Sequence, residues 1–209
     1  MNILAVRNLT LCRNQQVVID NLNFTLEEQQ CLFLQGEIGT GKSTLLLSLL
    51  GFVPIQSGEV YLFGQACKTE KDFAPFRGTV GLCFQNAEDQ LFGPTVLDDV
   101  AFGVLNQGYT REKAYKIALA QLEQIGIAHL KDRPVNLLSG GEQNFTALAG
   151  VLAMQPKILL LDEPTNGLDA KNCEKLTALL KQLKLPMLIA SHDQTFCRTL
   201  ATDTLYLTK

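Results

Sequence analysis

Apolar and polar positions along this chain form blocks that predict strands and helices in turn. Short, nearly continuous apolar runs at residues 31–35, 80–84, 158–161 and 187–190 are typical of strands buried on both faces. Apolar residues recur at helical spacing between these runs. The predicted helices cover residues 42–50, 110–125, 139–154 and 170–183. This alternation predicts an α/β fold with a mostly parallel sheet flanked by helices.

The first third of the chain has a different pattern. Polar breaks separate short strands predicted at residues 3–9, 17–19, 22–26 and 59–63, which favours an antiparallel β patch on the N-terminal side. No Pro-, Gly- or Ser-rich linker divides the sequence. We therefore expect one domain over residues 1–209, with a helical subdomain at about 86–155.

Composition narrows the class of protein. The 209 residues are 46% hydrophobic and carry a net charge of −3, which argues against a protein held on nucleic acid by bulk positive charge. The six cysteines form no C-x-x-C pair, so free thiols are expected rather than a zinc site or disulfides. No apolar run is long enough to span a bilayer, and the N-terminus does not resemble a signal peptide.

A glycine-rich segment lies between the strand predicted at 31–35 and the helix that follows. It fits the pattern G-x-x-x-x-G-K-S, in which glycines let backbone N–H groups surround phosphate oxygens. The lysine of this pattern reaches the β- and γ-phosphates, and the next hydroxyl is a ligand for Mg²⁺. The residues expected to bind a nucleotide are Gly36, Glu37, Ile38, Gly39, Thr40, Gly41, Lys42, Ser43 and Thr44.

Two acidic residues follow the apolar run at 158–161. Asp162 stands at the carboxyl end of a predicted parallel strand, where it would complete a Mg²⁺ site with Ser43. Glu163 comes next and is placed to polarise an attacking water. The pair therefore predicts hydrolysis of the nucleotide as well as binding.

A second helix start suited to an anion occurs at Leu138-Ser-Gly-Gly-Glu-Gln143. Its serine and glutamate fit a capping box, and its glycines leave backbone N–H groups exposed at the positive end of the helix dipole. Because the chain already has one phosphate loop, a second anion site raises the question of whose phosphate it holds.

These motifs, in this order, resemble those of the ATP-binding cassette ATPases from residue 3 to residue 207. The resemblance implies ATP and Mg²⁺ as cofactors and a dimer of the chain with itself or with a homologous ATPase subunit. It also implies that ATP lies between the phosphate loop of one subunit and the signature motif of the other. The signature residues implied to act on the partner's ATP are Ser139, Gly140, Gly141 and Glu142.

The resemblance assigns roles to further residues. Gln85 matches a glutamine that contacts Mg²⁺ and the attacking water and relays movement to a membrane partner. His192 matches a switch histidine at the γ-phosphate, so the implied catalytic set is Glu163, His192 and Gln85. Asp169 matches a loop that communicates across the dimer, whereas His129 is expected only to be solvated.

The segment from Gln85 to Gly103 resembles the ATPases of energy-coupling-factor importers, especially those for cobalt and nickel ions. In these importers the ATPase joins a membrane coupling protein and a membrane substrate-binding component. We expect residues 86–103 to dock the coupling protein through an apolar tip of Leu91, Phe92 and Pro94 that suits a cationic amphipathic helix. The acidic rim of this tip is expected at Glu88, Asp89, Asp98 and Asp99.

This resemblance implies a peripheral protein on the cytoplasmic face of the cell membrane, which energises import of a transition-metal ion or a vitamin. A soluble cassette ATPase in cofactor or iron–sulfur assembly is the alternative, and co-purification with membrane components separates the two. Chromosome and translation factors with the same nucleotide site are disfavoured, since no coiled-coil insertion and no second cassette is present.

Three features depart from the family pattern. Arg13 stands where an aromatic residue usually stacks on adenine, although a guanidinium also stacks on a planar ring. Asn144-Phe145 replaces a Gln-Arg pair, which removes a positive charge near the catalytic interface. The chain ends at Lys209, without the C-terminal extension that some relatives use for dimer contacts. These departures bear on turnover and dimer affinity more than on ATP binding.

Overall fold

A computed structural model describes residues 2–208. Within them, nine strands form two sheets, and the chain also forms seven α-helices. The strands are β1 (Asn2–Arg13), β2 (Gln16–Glu27), β3 (Cys31–Gln35), β4 (Ile55–Leu62), β5 (Gln65–Cys67), β6 (Val80–Cys83), β7 (Ile158–Asp162), β8 (Met187–Ala190) and β9 (Asp203–Tyr206). The helices are α1 (Lys42–Ser48), α2 (Glu70–Phe73), α3 (Val96–Asn106), α4 (Arg111–Ile125), α5 (Gly140–Ala153), α6 (Ala170–Leu183) and α7 (Gln194–Leu200).

The larger sheet is parallel throughout and has the strand order β6-β7-β8-β3-β9. Its central strand β8 fixes the register of its two neighbours, because Leu34 of β3 and Asp162 of β7 both pair with Ala190. The predicted parallel sheet is confirmed. Its register brings the carboxyl ends of β3, β7 and β8 to one edge.

The smaller sheet is antiparallel, with the order β2-β1-β4-β5, and it confirms the predicted N-terminal β patch. The prediction of two strands at 17–19 and 22–26 was wrong, because β2 runs through the polar break. Leu22 pairs with Leu9 and Ile19 with Leu11, so the residues between form a bulge in which Asn21 has a φ of 49°. Pairing along the length of β1 keeps this strand continuous.

Alternate residues of the parallel strands enter two separate apolar cores. Leu160 and Leu188 face α1 and the antiparallel sheet, whereas Leu159, Leu161 and Ile189 face the layer that contains α3 to α6. Because both faces are covered, these strands have continuous apolar sequences. The sheet is thus a rigid platform from which the loops at its carboxyl edge project.

The stretch between β6 and β7 contains α3, α4 and α5, which pack on one another. Thr110 and Ser139 cap α4 and α5 at their first turns, and Gly126 ends α4 with a φ of 78°, as their sequences predict. The proposed subdomain boundary at 86–155 stays a prediction. Among residues 2–208, no helix combines the length and apolarity that crossing a bilayer requires.

All six cysteines, which lie within the described residues, are free thiols. Burial raises the pKa of Cys31 and of Cys83 to about 12. These two thiols are therefore packing residues of the core, unreactive near neutral pH.

Candidate functional site

A cleft of about 440 Å³ opens at the carboxyl edge of the parallel sheet. It combines side chains that the sequence separates by most of the chain's length, as expected where parallel strands end together. Its lining residues are Arg13, Val18, Ile38, Gly39, Gly41, Lys42, Ser43, Thr44, Gln85, Asp162, Glu163, Asn166 and His192.

The phosphate loop joins β3 to α1 along one wall of this cleft. Gly41 precedes the helix with a φ of 92°, and a Cβ there would approach the Ile19 side chain to 3.0 Å, so glycine is required. The Lys42 ammonium donates to the carbonyls of Gly36 and Glu37, at 2.9 and 3.1 Å. Within residues 2–208, the backbone N–H groups of Lys42 and Ser43 make no hydrogen bond. They remain available to an anion.

Asp162 ends β7 beside the phosphate loop. Its Oδ1 atom is buried and has no hydrogen-bond partner among the described residues. Burial raises the pKa of Asp162, and nearby Ser43 and Lys42 oppose that effect. An orphaned carboxylate oxygen beside a hydroxyl fits a hard divalent cation, which prefers oxygen ligands.

Glu163 and His192 both line the cleft and are in direct contact with each other. The Glu163 carboxylate lies 2.8 Å from His192 Nδ1 and also accepts a hydrogen bond of 3.2 Å from the His192 backbone N–H. Glu163 has a φ of 46°, a left-handed conformation that is costly for a residue with a side chain. The Glu163 N–H donates to the Ala190 carbonyl at 2.8 Å, which anchors this strained position to β8.

Gln85 and Arg13 also line the cleft. Gln85 is exposed and follows β6, while Arg13 ends β1 at the tight turn into β2. Sequence reasoning placed both in the nucleotide site but missed Val18, which also lines the cleft. Val18 carried no local signal, because only the pairing of β1 with β2 brings it near the phosphate loop.

The signature residues lie outside this cleft. Ser139 caps α5, and the Glu142 carboxylate accepts hydrogen bonds from the Ser139 N–H at 2.8 Å and from its hydroxyl at 2.9 Å. Arg133 completes the cluster with an ion pair of 2.9 Å to Glu142. These contacts lower the pKa of Glu142, chiefly through the Ser139 backbone N–H. The predicted capping box is confirmed.

Asp169 also lies outside the cleft, where it caps α6. Its carboxylate accepts a hydrogen bond of 2.8 Å from the Asn172 N–H. Asn166, three residues earlier, does line the cleft. The loop between them therefore extends from the nucleotide site toward the exterior.

Phe145, on the signature helix, is buried in the core at 3% exposure. The ammonium of Lys175 on α6 lies 4.5 Å from the centre of its ring. A positive charge is thus present next to α5, supplied by another helix. No sequence signal linked the two residues, since only tertiary packing brings α6 over α5.

The segment 86–103 contains an exposed aromatic pair and a buried carboxylate. The rings of Phe92 and Phe102 meet edge to face with centres 4.5 Å apart, and both are largely exposed. Glu88 and Asp89 are exposed, as predicted for an acidic rim. Asp99 was wrongly assigned to that rim.

Asp99 points inward, at 8% exposure, on the apolar stripe of α3 that includes Val96 and Val100. The spacing of three and four residues between Val96, Asp99 and Val100 is the signal that could have predicted the burial of Asp99. Asp98 remains half-buried and hydrogen-bonds to the hydroxyls of Thr95 and Tyr115. His129 is exposed, as expected for a solvated histidine.

Comparison with known proteins gives consistent results. The sequence profile of the family described as ABC transporter matches residues 19–166. A Haemophilus influenzae protein named as an uncharacterized ABC transporter ATP-binding protein is 68% identical over 99% of this chain and 95% of its own length. A cobalt import ATP-binding protein of Rhodobacter capsulatus is 42% identical over 88% of this chain and 67% of its own length.

A solved structure shares the whole architecture. The protein cbiO1 of Clostridium perfringens, described as part of the ABC transporter complex cbiONQ, aligns with a TM-score of 0.88 at 31% identity. The alignment covers 99% of this chain and 85% of that one.

Proposed function

Because this chain belongs to the ABC transporter family of ATPases, we propose that it is the ATP-hydrolysing subunit that energises a membrane importer of the energy-coupling-factor type. A transition-metal ion, cobalt or nickel, or a vitamin is the proposed cargo. The metal cargo is supported by the 42% identity to a protein named for cobalt import. The importer type is supported by the segment from Gln85 to Gly103, which resembles such ATPases. The cleft carries the ATPase part of the proposal, since it unites Lys42, Glu163 and His192.

Glu163 is the proposed general base. With its carboxylate fixed by His192 at 2.8 Å, it accepts a proton from the water that attacks the γ-phosphate. The strained backbone and the bond to Ala190 hold the carboxylate in place before substrate arrives. His192 orients Glu163 and, with its ring exposed, reaches the γ-phosphate.

The phosphates bind along the loop between β3 and α1. Lys42 exchanges its carbonyl partners for phosphate oxygens, and the free N–H groups at the start of α1 donate to them. Ser43, Gln85 and Asp162 would hold Mg²⁺, and the orphaned Asp162 oxygen fits this role. When bound, Mg²⁺ neutralises charge on the phosphates.

Arg13 is the proposed platform for the adenine base. It lies in the same cleft as the phosphate loop, and a guanidinium stacks favourably on a planar ring. The base would therefore bind to the turn between β1 and β2, while the triphosphate extends toward Lys42.

Two copies, or one copy and a homologous subunit, would complete each site. Ser139, Gly140, Gly141 and Glu142 lie outside their own cleft and would act on the ATP of the partner. Asp169 would carry information between the two sites, because its loop begins at the cleft with Asn166.

The segment 86–103 is the proposed docking surface for the membrane coupling protein. The Phe92–Phe102 pair supplies an exposed apolar anchor, with Glu88 and Asp89 beside it, which suits a cationic amphipathic helix. Docking there would place the chain at the cytoplasmic face of the membrane, next to the membrane substrate-binding component of the importer.

Expression of this chain in its native host, with an affinity tag, tests the proposal. We expect membrane proteins to co-purify with the wild-type chain and not with Phe92→Asp/Phe102→Asp, while the variant still binds ATP. Uptake of radioactive cobalt, nickel or vitamins by cells with and without this chain then identifies the cargo. Recovery of only soluble assembly factors would favour the alternative function and contradict the importer.

A further inference from the structure

Side-chain to backbone hydrogen bonds hold the loop from Gln85 to Gly93 at both of its ends. Near its start, the Phe84 N–H donates to Gln90 Oε1 at 3.0 Å. At its end, the N–H groups of Phe92 and Gly93 both donate to a single oxygen, Asp99 Oδ1, each at 2.8 Å. The loop therefore has a fixed shape although part of it is exposed.

Asp99 occupies an unusual place for a carboxylate. It is 8% exposed, burial raises its pKa, and within the described residues no cation pairs with it. Among residues 2–208, the two backbone donors on Oδ1 are the only hydrogen bonds to this carboxylate that offset its burial. Burial of a carboxylate at this position costs free energy, which suggests that its two hydrogen bonds serve a function.

Gly93 fits closely against the same helix. A Cβ at Gly93 would lie 2.6 Å from the Asp99 nitrogen and 2.7 Å from its Cα, closer than real Cβ atoms approach. Glycine thus allows the loop to lie directly on the first turn of α3, and the carboxylate holds it there. The close contact and one of the two hydrogen bonds both join Gly93 to Asp99.

We propose that Asp99 is a positioning residue that fixes the 85–93 loop on α3, so that Gln85 at the nucleotide and the Phe92–Phe102 pair move as one body. Phe92 is the link, because its ring packs on Phe102 of α3 while its N–H is held by Asp99. The roles of Gln85 and of the aromatic pair rest on the proposed function; the fastening itself does not.

The chain offers a matched set of variants. Asp99→Asn keeps Oδ1 and so keeps both hydrogen bonds, whereas Asp99→Leu has a similar size and no acceptor. Gly93→Ala keeps the carboxylate but forces the loop away from α3. Steady-state ATP hydrolysis by the purified full-length chain, followed against ATP concentration, separates kcat from KM.

We expect Asp99→Leu to lower kcat by about tenfold with KM for ATP within about twofold, because the phosphate loop is untouched. Asp99→Asn should retain kcat within about twofold of wild type. The double variant Asp99→Leu/Gln85→Ala should be no slower than Gln85→Ala alone, since Asp99 acts through Gln85. If Asp99→Leu does not fold, Gly93→Ala replaces it and should show the same loss of kcat.

Three results would overturn the inference: equal losses in Asp99→Asn and Asp99→Leu, a lower melting temperature with normal kcat in Asp99→Leu, or effects that multiply in the double variant. The assay contains no membrane protein, so its outcome does not depend on docking. If Gln85→Ala itself leaves kcat unchanged, the proposed role of Gln85 fails. If Gln85→Ala lowers kcat and Asp99→Leu does not, only the present inference fails.

Discussion

The phosphate loop and the Ser139 helix start both offer backbone donors to an anion, but they differ in what occupies those donors. At the phosphate loop, Gly41 precedes α1 without a side-chain cap, and the first N–H groups of the helix have no partner among residues 2–208. At α5, Ser139 and Glu142 form a reciprocal capping box, reinforced by Arg133. The phosphate loop is open to a ligand, whereas the start of α5 is capped by its own side chains and leaves Gly140 exposed.

This contrast supports different proposed roles for the two helix starts. The cleft contains Glu163, the proposed general base, and lacks the signature residues. In the proposed dimer a second subunit brings its own capped helix to the first, and the capping box holds that helix start in shape before the subunits meet. Substitutions in the cleft and at the Ser139 helix start can test the two regions separately.

The first test removes the base from the cleft and leaves both anion sites intact. Glu163→Gln should slow hydrolysis by about 10²–10⁴-fold while ATP remains bound, because a positioned general base contributes on that scale. ATP turnover and ATP-dependent dimerisation in gel filtration measure the two properties. Glu123→Gln, an exposed change on α4, is the control and should behave as wild type. Near-normal turnover in Glu163→Gln would refute the assignment.

The second test changes the phosphate loop in one variant and the signature motif in another. Lys42→Ala should lose ATP binding, whereas Gly140→Asp should bind ATP as a monomer and lose hydrolysis, because its new carboxylate repels the partner's phosphates. A Cβ at Gly140 meets no atom within 4 Å, so the variant folds without a clash. A mixture of the two variants forms heterodimers with one intact composite site and should recover part of the activity. No recovery, with heterodimers demonstrated, would contradict the shared site.

The third test concerns the base end of the cleft, where Arg13 stands in place of an aromatic residue. Arg13→Ala should weaken ATP binding by about two- to fivefold, the size of an exposed cation–π contact, and Arg13→Tyr should restore it. Fluorescent-nucleotide titration measures the affinity. Arg7→Ala, on the same strand but stacked on Tyr61, serves as the control. Equal losses in Arg7→Ala and Arg13→Ala would show that the charge acts at long range.

The smallest effect is expected at Glu142, in the capping box of α5, where the contribution to stability depends on pH. The folded-state pKa of Glu142 is lowered, so its contribution to stability is full above its ordinary pKa and is lost as pH falls through the lowered value. Glu142→Gln should therefore reduce the free energy of unfolding at pH 7 by about 0.5 kcal/mol and change it little near pH 2. Urea unfolding at both pH values tests this. An equal loss at both would show that the charge is irrelevant.

Most of the parallel framework could be predicted from the sequence, since strands buried on both faces leave continuous apolar runs. The bounds predicted for β3, β8 and α6 match the structure, and those for β6 and β7 differ by one residue. The cleft could be predicted because each of its motifs follows a strand. The bulge in β2 and the contact of Lys175 with Phe145 could not, since pairing partners on other elements decide them.

Strands β6 and β7 are neighbours in register, with Cys83 opposite Leu161, yet the chain forms α3, α4 and α5 between them. Because the sheet fixes both ends of this excursion, the number of residues within it does not set where Gln85 and Asp162 stand. Insertions and deletions are therefore tolerable in its surface connections. One residue deleted inside β7 would instead turn the side chains on one side of the gap to the opposite face and break the alignment of Asp162 with Ala190. The chain thus combines a helical region whose surface connections can differ in length with a strand edge in which length is fixed.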